Sequence, residues 1–136
     1  MDLGLQGKVA MVGGGSRGLG FNVARMLAAE GVDVSIASHN EEAIQEAGRK
    51  IEQEFGGKVL AIKADARSAD DVRRWQEGTF DRFGGVDLLF TNTGGPPAGV
   101  FNQFGDDAWQ EAFDLLVMGG YWVALAVAAR APRPAA

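Results

Sequence analysis

The stretch that decides the fold is Val9-Ala10-Met11-Val12-Gly13-Gly14-Gly15-Ser16-Arg17-Gly18-Leu19-Gly20. A short apolar run ends at a glycine-rich turn, and apolar residues at helical spacing follow, so the stretch predicts a buried strand that leads into a helix. Glycines let the backbone turn sharply and approach a phosphate closely, and the helix directs N–H groups and its positive dipole end at the anion. The stretch therefore predicts a nucleotide diphosphate site, with a flexible glycine loop as the alternative.

The rest of the chain repeats this alternation of strands and helices. Four strands and four helices are predicted: strands over residues 8–12, 32–37, 58–64 and 86–91, and helices from Leu19, over 41–55, after a cap at Ser68, and from about Asp106. This order predicts a parallel sheet with right-handed crossovers. The predicted fold class is α/β, a three-layer doubly wound parallel sheet of order 3-2-1-4, with a dinucleotide crevice between the first and fourth strands.

Apolar spacing also predicts which helical side chains face the core. The spaced residues of the first helix are Leu19, Val23, Met26 and Leu27. Those of the second helix are Ile44, Ala47, Ile51 and Phe55, and those of the third are Val72, Trp75, Thr79 and Phe83.

Composition limits the classes of function. The chain has 136 residues, a net charge of −5, one histidine and no cysteine. The negative charge disfavours nucleic acid partners, and the lone histidine without thiols disfavours a metal site. The first residues lack the pattern of a signal peptide, so we expect a cytoplasmic location. The uncharged run 115–129 spans only ~22 Å as a helix, against ~30 Å for a bilayer core, so no membrane partner is expected.

Cofactor preference is predicted from the end of the second strand, Ala37-Ser38-His39-Asn40. An acidic residue about 20 positions beyond the turn favours NAD by binding the ribose 2′-hydroxyl. Here no carboxylate occurs before Glu41. Arg17 could instead reach a 2′-phosphate, assisted by Ser38 or His39. We therefore expect NADP rather than NAD, with the alternative that Arg17 and His39 are solvated loop residues.

Three ordered motifs resemble the short-chain dehydrogenase/reductase family, in particular its 3-oxoacyl-(acyl-carrier-protein) reductases. They are the glycine turn 14–20, Asp65 in Ala64-Asp65-Ala66-Arg67, and Asn92-Thr93-Gly94-Gly95 after the fourth strand. The resemblance covers about residues 5–120. It implies hydride transfer between NADPH and a small carbonyl or alcohol substrate. Taken singly, Asp65 is equally well explained as a turn or capping residue, and Asn92 as a strand-end turn residue.

The motifs and the resemblance together give a predicted cofactor-binding set. The diphosphate would lie on Gly14, Gly15, Ser16, Arg17, Gly18 and Leu19. The 2′-phosphate end would involve Arg17 with Ser38, His39 and Asn40. By the resemblance, Asp65 and Ala66 flank the adenine, Asn92 braces the sheet beside the cofactor, and Thr93 and Gly94 line the ribose.

Departures from the family concern proton transfer. Gly13 replaces a family threonine, and Leu116 aligns with an asparagine of the family's catalytic tetrad. The family's serine and Tyr-x-x-x-Lys pair are absent, since Tyr121 is the only tyrosine and Lys63 the last lysine. A tyrosine with a pKa of about 10 and no cationic partner is a poor acid–base catalyst at neutral pH. We therefore expect no catalytic residues, and Tyr121 to be a packing residue.

The C-terminal part also departs from the family. We interpret residues 1–136 as a single, incomplete dinucleotide-binding domain, with a divergent tail over 119–136 that turns to Ala, Pro and Arg from Arg130. The abrupt change suggests a truncation or a reading-frame shift after about Met118. An edge strand and an apolar last helix would favour a homo-oligomer.

Two functions stay open. The chain is the cofactor-binding half of an NADP-dependent reductase and inactive alone, or it is a non-catalytic nucleotide-binding or interaction module. Such a module would associate with itself or with a full-length relative.

Overall fold

The computed structural model describes residues 1–128, so the tail from Arg130 lies outside the described residues. Strands and helices alternate: β1 (Val9–Gly13), α1 (Gly18–Ala29), β2 (Asp33–Ser38), α2 (Glu41–Phe55), β3 (Val59–Lys63), α3 (Ala69–Phe83), β4 (Leu88–Phe90), α4 (Asp106–Phe113) and α5 (Gly119–Ala128). A 3₁₀ turn at Phe101–Gln103 precedes α4, and a π-helical turn at Asp114–Met118 joins α4 to α5. The bounds of α2 are those predicted.

The four strands form one parallel sheet in the order β3-β2-β1-β4, which confirms the predicted topology. β1 pairs with β2 along its whole length, but with β4 only from Ala10 opposite Leu88 to Val12 opposite Phe90. β4 is therefore shorter than the predicted 86–91. The pairing of β4 with β1 ends at Phe90, and beyond it the backbone of Asn92 lies against the glycine turn.

Helices cover both faces of the sheet, which confirms the three-layer α/β architecture. On one face the buried residues of β1 and β2 pack against α1 and α2, and on the other face they pack against α3 and α5. The predicted inward faces of α2 and α3 are confirmed, with Phe55 and Phe83 only partly buried. Fully or nearly fully buried in those two faces are Ile44, Ala47, Ile51, Val72, Trp75 and Thr79.

The predicted face of α1 is partly wrong. Gly20, Ala24 and Ala28 are buried, whereas Leu19 and Met26 are 65% and 56% exposed. The small residues face the sheet because α1 packs very close to it, and a Cβ on Gly20 would overlap the carbonyl oxygen of the glycine turn at Gly14. The spacing of large apolar residues therefore does not identify the contact face of a helix that needs such a close approach.

A hydrogen-bonded cluster of polar side chains lies buried between β2 and α3. The Trp75 indole Nε1 donates to Ser35 Oγ over 2.8 Å, and Thr79 Oγ1 donates to the Trp75 carbonyl over 2.8 Å. Ser35 Oγ and Thr79 Oγ1 are 2.7 Å apart. Because the hydroxyl proton of Thr79 is already donated to the Trp75 carbonyl, Ser35 Oγ is the donor in its hydrogen bond with Thr79 Oγ1. The cluster is fully satisfied and fixes the position of Trp75.

The segments from α4 to α5 make one continuous helix, Asp106–Ala128. One face of it has little cover within residues 1–128, where the Phe101 ring contacts the Trp109 ring edge-on with 5.6 Å between their centroids. This face exposes Trp109, Phe113, Leu116, Val117, Tyr121 and Leu125. Tyr121 is 54% exposed, so the expectation that it packs is wrong for the described part of the chain. The helix has 23 residues and begins at Asp106, as predicted, so it extends well beyond the uncharged run from which the ~22 Å span was calculated.

This helix is the one segment of the described chain that is long and apolar enough to cross a membrane. That finding rests on length and composition alone. A helix that packs against another protein surface passes the same test, so it is weak support for a membrane span.

Candidate functional site

A crevice of about 640 Å³ opens at the carboxyl ends of the strands, between β1 and β4. The strand order reverses there, because the chain moves outward from β1 to β3 on one side and then returns to place β4 on the other. Ligands of open parallel sheets bind at such a switch point. The crevice therefore lies where the topology leads us to expect it.

The glycine turn forms the floor of this crevice, and Gly14 and Gly20 in it have no room for a side chain. Gly14 and Gly18 have φ angles of +62° and +58°, which favour glycine. A Cβ on Gly14 would lie 2.8 Å from the Asn92 carbonyl oxygen, and one on Gly20 would overlap the Gly14 carbonyl. The turn, the strand end after β4 and the start of α1 are thus packed backbone to backbone. On the side that faces the crevice, Gly14 and Gly18 therefore present only main-chain groups.

The N-terminus of α1 differs from those of α2 and α3. The Asn40 side chain accepts from the Ala43 N–H and caps α2, and Ser68 caps α3 by accepting from the Asp71 N–H, as predicted for Ser68. Both helices also carry acidic residues in their first turns. At α1, no side chain caps the helix and the first turn holds no acidic residue. This end of α1 faces the crevice and suits an anionic group from outside the chain.

Asp65 and Arg67 form an ion pair on the wall beyond β3. Arg67 donates through Nη2 to Asp65 Oδ2 over 2.9 Å, and through Nε and its backbone N–H to Oδ1 over 3.1 and 2.9 Å. These hydrogen bonds hold the pKa of the Asp65 carboxyl below its ordinary value, although partial burial opposes the shift. Asp65 is therefore ionised at neutral pH.

The structure brings together most of the predicted cofactor-binding residues. Twelve of the fourteen line the crevice: Gly14, Ser16, Arg17, Gly18, Leu19, Ser38, His39, Asp65, Ala66, Asn92, Thr93 and Gly94. Gly15 and Asn40 do not line it. Gly15 is buried against Ile36, where its Cβ would lie 2.8 Å from the Ile36 Cβ, and Asn40 is occupied as the cap of α2.

Sequence reasoning missed twelve lining residues. Five of them adjoin the predicted segments, namely Gly13, Ala37, Ala64, Thr91 and Gly95, and the other seven are Arg67 and the residues of the far wall. Arg67 stands on the wall although no motif singled out its side chain, and its spacing of two from Asp65 is the only signal in the sequence. The far wall comes from α3, the π-helical turn and α5, through Val72, Trp75, Leu115, Gly119, Gly120 and Val123. Helical periodicity marks some of these as apolar but gives no indication that they border a ligand site.

The charged side chains on the crevice wall are Arg17, Arg67 and Asp65. The wall therefore carries more positive than negative charge within a chain whose net charge is −5. None of the four lysines and not the single tyrosine lines it. Within residues 1–128, no three His, Cys, Asp or Glu side chains gather in a metal-binding arrangement. The charge of the crevice wall suits an anionic group, and the wall formed by residues 1–128 includes no Tyr–Lys pair for proton transfer.

The sequence profile of short chain dehydrogenases matches residues 8–132. The chain belongs to this family. Its relatives include the 3-oxoacyl-(acyl-carrier-protein) reductase FabG of Chlamydia muridarum, which is 30% identical over 90% of this chain and 50% of its own length. The suspected family is thereby confirmed.

Solved structures of family members superpose closely on the described fold. L-sorbose reductase from Gluconobacter frateurii, in complex with NADPH and L-sorbose, has a TM-score of 0.90 at 31% identity, over 95% of this chain and 49% of that one. A short chain dehydrogenase from Burkholderia cenocepacia, in complex with NADP, has a TM-score of 0.86 at 35% identity, over 93% and 51%. This chain spans about half the length of the relatives it matches.

Proposed function

We propose that this chain binds NADPH in the crevice and serves as the cofactor-binding part of an NADP-dependent short-chain reductase. The observation that carries the proposal is the convergence of four separated segments on one crevice, with an uncapped helix end at its floor. The glycine turn fits a diphosphate at Gly18, which lines the crevice and has no heavy atom within 4 Å of an added Cβ, so a side chain there would fill space that the turn leaves open. A diphosphate needs such a main-chain surface.

Each segment has a role in this proposal. The turn from Gly14 to Leu19 holds the diphosphate. Arg17, with Ser38 and His39, holds the 2′-phosphate. Asp65 and Ala66 contact the adenine, and the segment 92–94 contacts the ribose next to the nicotinamide. Asn40 takes no part, because its side chain already caps α2.

Preference for NADP is supported by charge at the end of β2. A carboxylate there would repel a 2′-phosphate, and the residues that line this end are Ser38 and His39 rather than an acid. Arg17 projects from the exposed start of α1 and has no ion-pair partner within the described residues. A free guanidinium matches the geometry of a phosphate.

The chemistry of the bound cofactor is the transfer of a hydride to a carbonyl or from an alcohol. The residues of this chain hold and orient the dinucleotide, and the walls contributed by Leu115, Gly119 and Val123 limit access of water to it. Proton transfer to the substrate oxygen requires a donor near that oxygen, and no tyrosine or lysine lines the crevice. We therefore propose that the chain alone binds NADPH without turning it over. We also propose a cytoplasmic location, because the first residues lack the pattern of a signal peptide.

A second candidate function is an interaction module. It is favoured by the exposed apolar face of the helix Asp106–Ala128, which includes Trp109, Phe113 and Leu125. Such a face is typical of a protein contact. The partner in this proposal is a second copy of the chain or a full-length relative.

Two measurements on the purified chain separate these functions. Fluorescence titration with NADPH and with NADH measures binding and cofactor preference, and the decrease in absorbance of NADPH with several carbonyl compounds measures turnover. We expect saturable binding, tighter for NADPH, with no turnover. Turnover by the chain alone would contradict the proposed absence of proton-transfer groups, and failure to bind either dinucleotide would leave the interaction module as the function.

A further inference from the structure

The chain has a single histidine, His39, and this residue lines the crevice. Histidine is the side chain whose charge ordinarily changes between about pH 5 and pH 8, and a chain without cysteine has no thiol that could titrate in the same range. His39 directly follows Ser38, the last residue of β2, and is exposed to solvent. Protons can therefore reach its ring, and the pH changes the charge at this point of the crevice.

The wall of the crevice carries a small net charge that one proton alters strongly. Within residues 1–128, its cations are Arg17 and Arg67 and its one carboxylate is Asp65, which leaves a single net positive charge while His39 is neutral. A proton on His39 doubles that charge. An anionic ligand at this wall is attracted more strongly when the positive charge is higher.

Two neighbouring segments place charged groups near His39. On the turn after β3, hydrogen bonds from Arg67 are the main cause of the lowered pKa of the Asp65 carboxyl, and a protonated His39 lowers that pKa further. His39 is therefore close enough to act on the pair of Asp65 and Arg67. Arg17, at the start of α1, lines the same crevice. Because Arg67 already pairs with Asp65, a charge on His39 adds to that of the wall instead of being cancelled there.

The acidic residues at the start of α2 follow His39 along the chain but do not line the crevice. Glu41 accepts a hydrogen bond from Gln45 Nε2 over 3.1 Å, and it borders a separate shallow cavity beside β3. Glu42 is exposed to solvent. Neither carboxylate is part of the wall that His39 shares with Arg17.

We propose that a proton on His39 raises the affinity of the crevice for NADPH, so that the cofactor preference of the chain depends on pH. The inference rests on the proposed function and adds regulation by pH to it. NADPH carries a phosphate that NADH lacks, and a phosphate monoester bears a charge of about −1.5 to −2 near pH 7. The added charge on His39 therefore favours NADPH more than NADH. The gain in affinity is complete when His39 is protonated and is lost as the pH rises.

The test compares the unmodified chain with His39→Gln by fluorescence titration with NADPH and with NADH, at pH 6 and at pH 8. The 2′-phosphate of NADPH itself takes up a proton near about pH 6. The ratio of the affinities of the two proteins at one pH cancels this effect, because both bind the same ligand. For NADPH, we expect the ratio to be about threefold to fivefold larger at pH 6 than at pH 8, and for NADH we expect it to change by less than about twofold.

Two further variants separate the charge of the ring from its shape and position. His39→Lys is positively charged at both pH values, so the ratio of its NADPH affinity to that of His39→Gln should be the same at pH 6 and pH 8. The double variant with His39→Gln and Gln53→His moves the histidine to an exposed position of α2 that does not line the crevice. It should behave like His39→Gln.

Salt provides an independent measurement of the same effect. Charges that face solvent are screened over a few ångströms at high ionic strength. Raising the salt from about 50 mM to about 500 mM should therefore reduce the pH effect in the unmodified chain to less than about twofold. A local change of structure on protonation would persist in salt, and such persistence would contradict the inference. Circular dichroism at both pH values verifies that each variant is folded.

The outcomes distinguish this inference from the proposed function. If the unmodified chain binds neither dinucleotide, the proposed function and the inference both fail. If it binds NADPH but the affinity ratio to His39→Gln is equal at the two pH values, the proposed function stands and the role of His39 is overturned. An equal pH effect for NADPH and NADH, or one that survives in the double variant with Gln53→His, also overturns the inference.

Discussion

The two sides of the sheet differ in how completely they are built. On the side of β1 to β3, the strands have five or six residues, and α1 and α2 pack on them in one buried apolar cluster. On the side of β4, a strand of three half-buried residues precedes a helix that exposes a whole apolar face. Both sides contribute to the crevice, but the groups that we assign to the phosphates and the adenine lie on the complete side.

This difference separates binding from association. The residues that would hold a dinucleotide depend on backbone packing between β1, α1 and the strand end after β4, which is present within residues 1–128. The face that includes Trp109, Phe113 and Leu125 is exposed within residues 1–128 and takes no part in that packing. Variants in the two regions should therefore affect different measurements.

The largest expected effect is that of Gly20→Ala. The added Cβ overlaps the Gly14 carbonyl, so α1 must move away from β1 and the turn must open. We expect a loss of about 3 kcal/mol or more in the free energy of unfolding, together with loss of NADPH binding. Urea denaturation and dinucleotide titration measure the two effects.

Gly57→Ala provides the control for that variant. Gly57 follows α2, has no heavy atom within 4 Å of the added Cβ and lacks a positive φ. The free energy of unfolding of Gly57→Ala should differ from that of the unmodified chain by less than about 1 kcal/mol, and its affinity for NADPH should be unchanged. Equal effects of the two substitutions would show that the close approach at Gly20 is not what builds the site.

Ser35→Ala tests the buried polar cluster on the complete side. It leaves the Trp75 indole N–H without an acceptor and removes the donor to Thr79, both in a buried setting. We expect a loss of about 1–3 kcal/mol in the free energy of unfolding. A double-mutant cycle with Trp75→Phe should give a favourable coupling energy, and additive losses would contradict the hydrogen bond.

Arg17→Met tests cofactor preference at the start of α1. Because its guanidinium is free to pair with a 2′-phosphate, its removal should weaken NADPH binding roughly tenfold and leave NADH binding nearly unchanged. Parallel titrations with the two cofactors measure the preference, with Arg73→Met as a charge-matched control. A similar loss for both cofactors would assign Arg17 to the diphosphate instead.

The smallest expected effect concerns pH. The Asp65 N–H bonded to Asp71 lowers the pKa of the Asp71 carboxyl below 3.8, with Arg74 adding to the shift and partial burial opposing it. A lowered pKa in the folded state contributes stability above pH 3.8, and that stability is lost as the pH falls through the folded-state pKa. Asp71→Asn should therefore be less stable than the unmodified chain at pH 6, by less than about 1 kcal/mol.

The stability difference between Asp71→Asn and the unmodified chain should depend on pH in one direction only. In thermal unfolding from pH 6 down to pH 2.5, the difference in melting temperature between the two chains should persist down to pH 3.8 and shrink as the pH falls further. A difference that grows as the pH falls would contradict the assignment.

The sequence predicts the side of β1 to β3 much better than the side of β4. The glycine turn, the bounds of α2 and the Ser68 cap follow from local patterns, because each depends on residues close together in the chain. The strand order follows from the alternation of strands and helices together with right-handed crossovers. The exposure of Leu19 and Met26 does not follow from local patterns, because the contact face of α1 is determined by how closely the helix approaches the sheet. The exposure of Tyr121 does not follow from local patterns either, because it depends on which distant segments pack nearby.

The candidate site follows the same division. Residues near the glycine turn and the strand ends are predictable from motif spacing, since the carboxyl ends of parallel strands meet at one edge. The clamp of Arg67 on Asp65 and the wall from the π-helical turn are not, because they depend on side-chain direction and on a helix register that no local pattern specifies. Asn40 illustrates the opposite error, since a residue beside the site is already used as a helix cap.

The most direct test of the central claim follows the backbone amides by NMR as NADPH is added to the isotopically labelled chain. We predict the largest chemical shift changes at the amides of residues 14–20, smaller changes at 65–67 and 92–94, and almost none at Trp109, Phe113 and Leu125. Unchanged amides in the glycine turn, or changes centred on the exposed face of the long helix, would contradict the account.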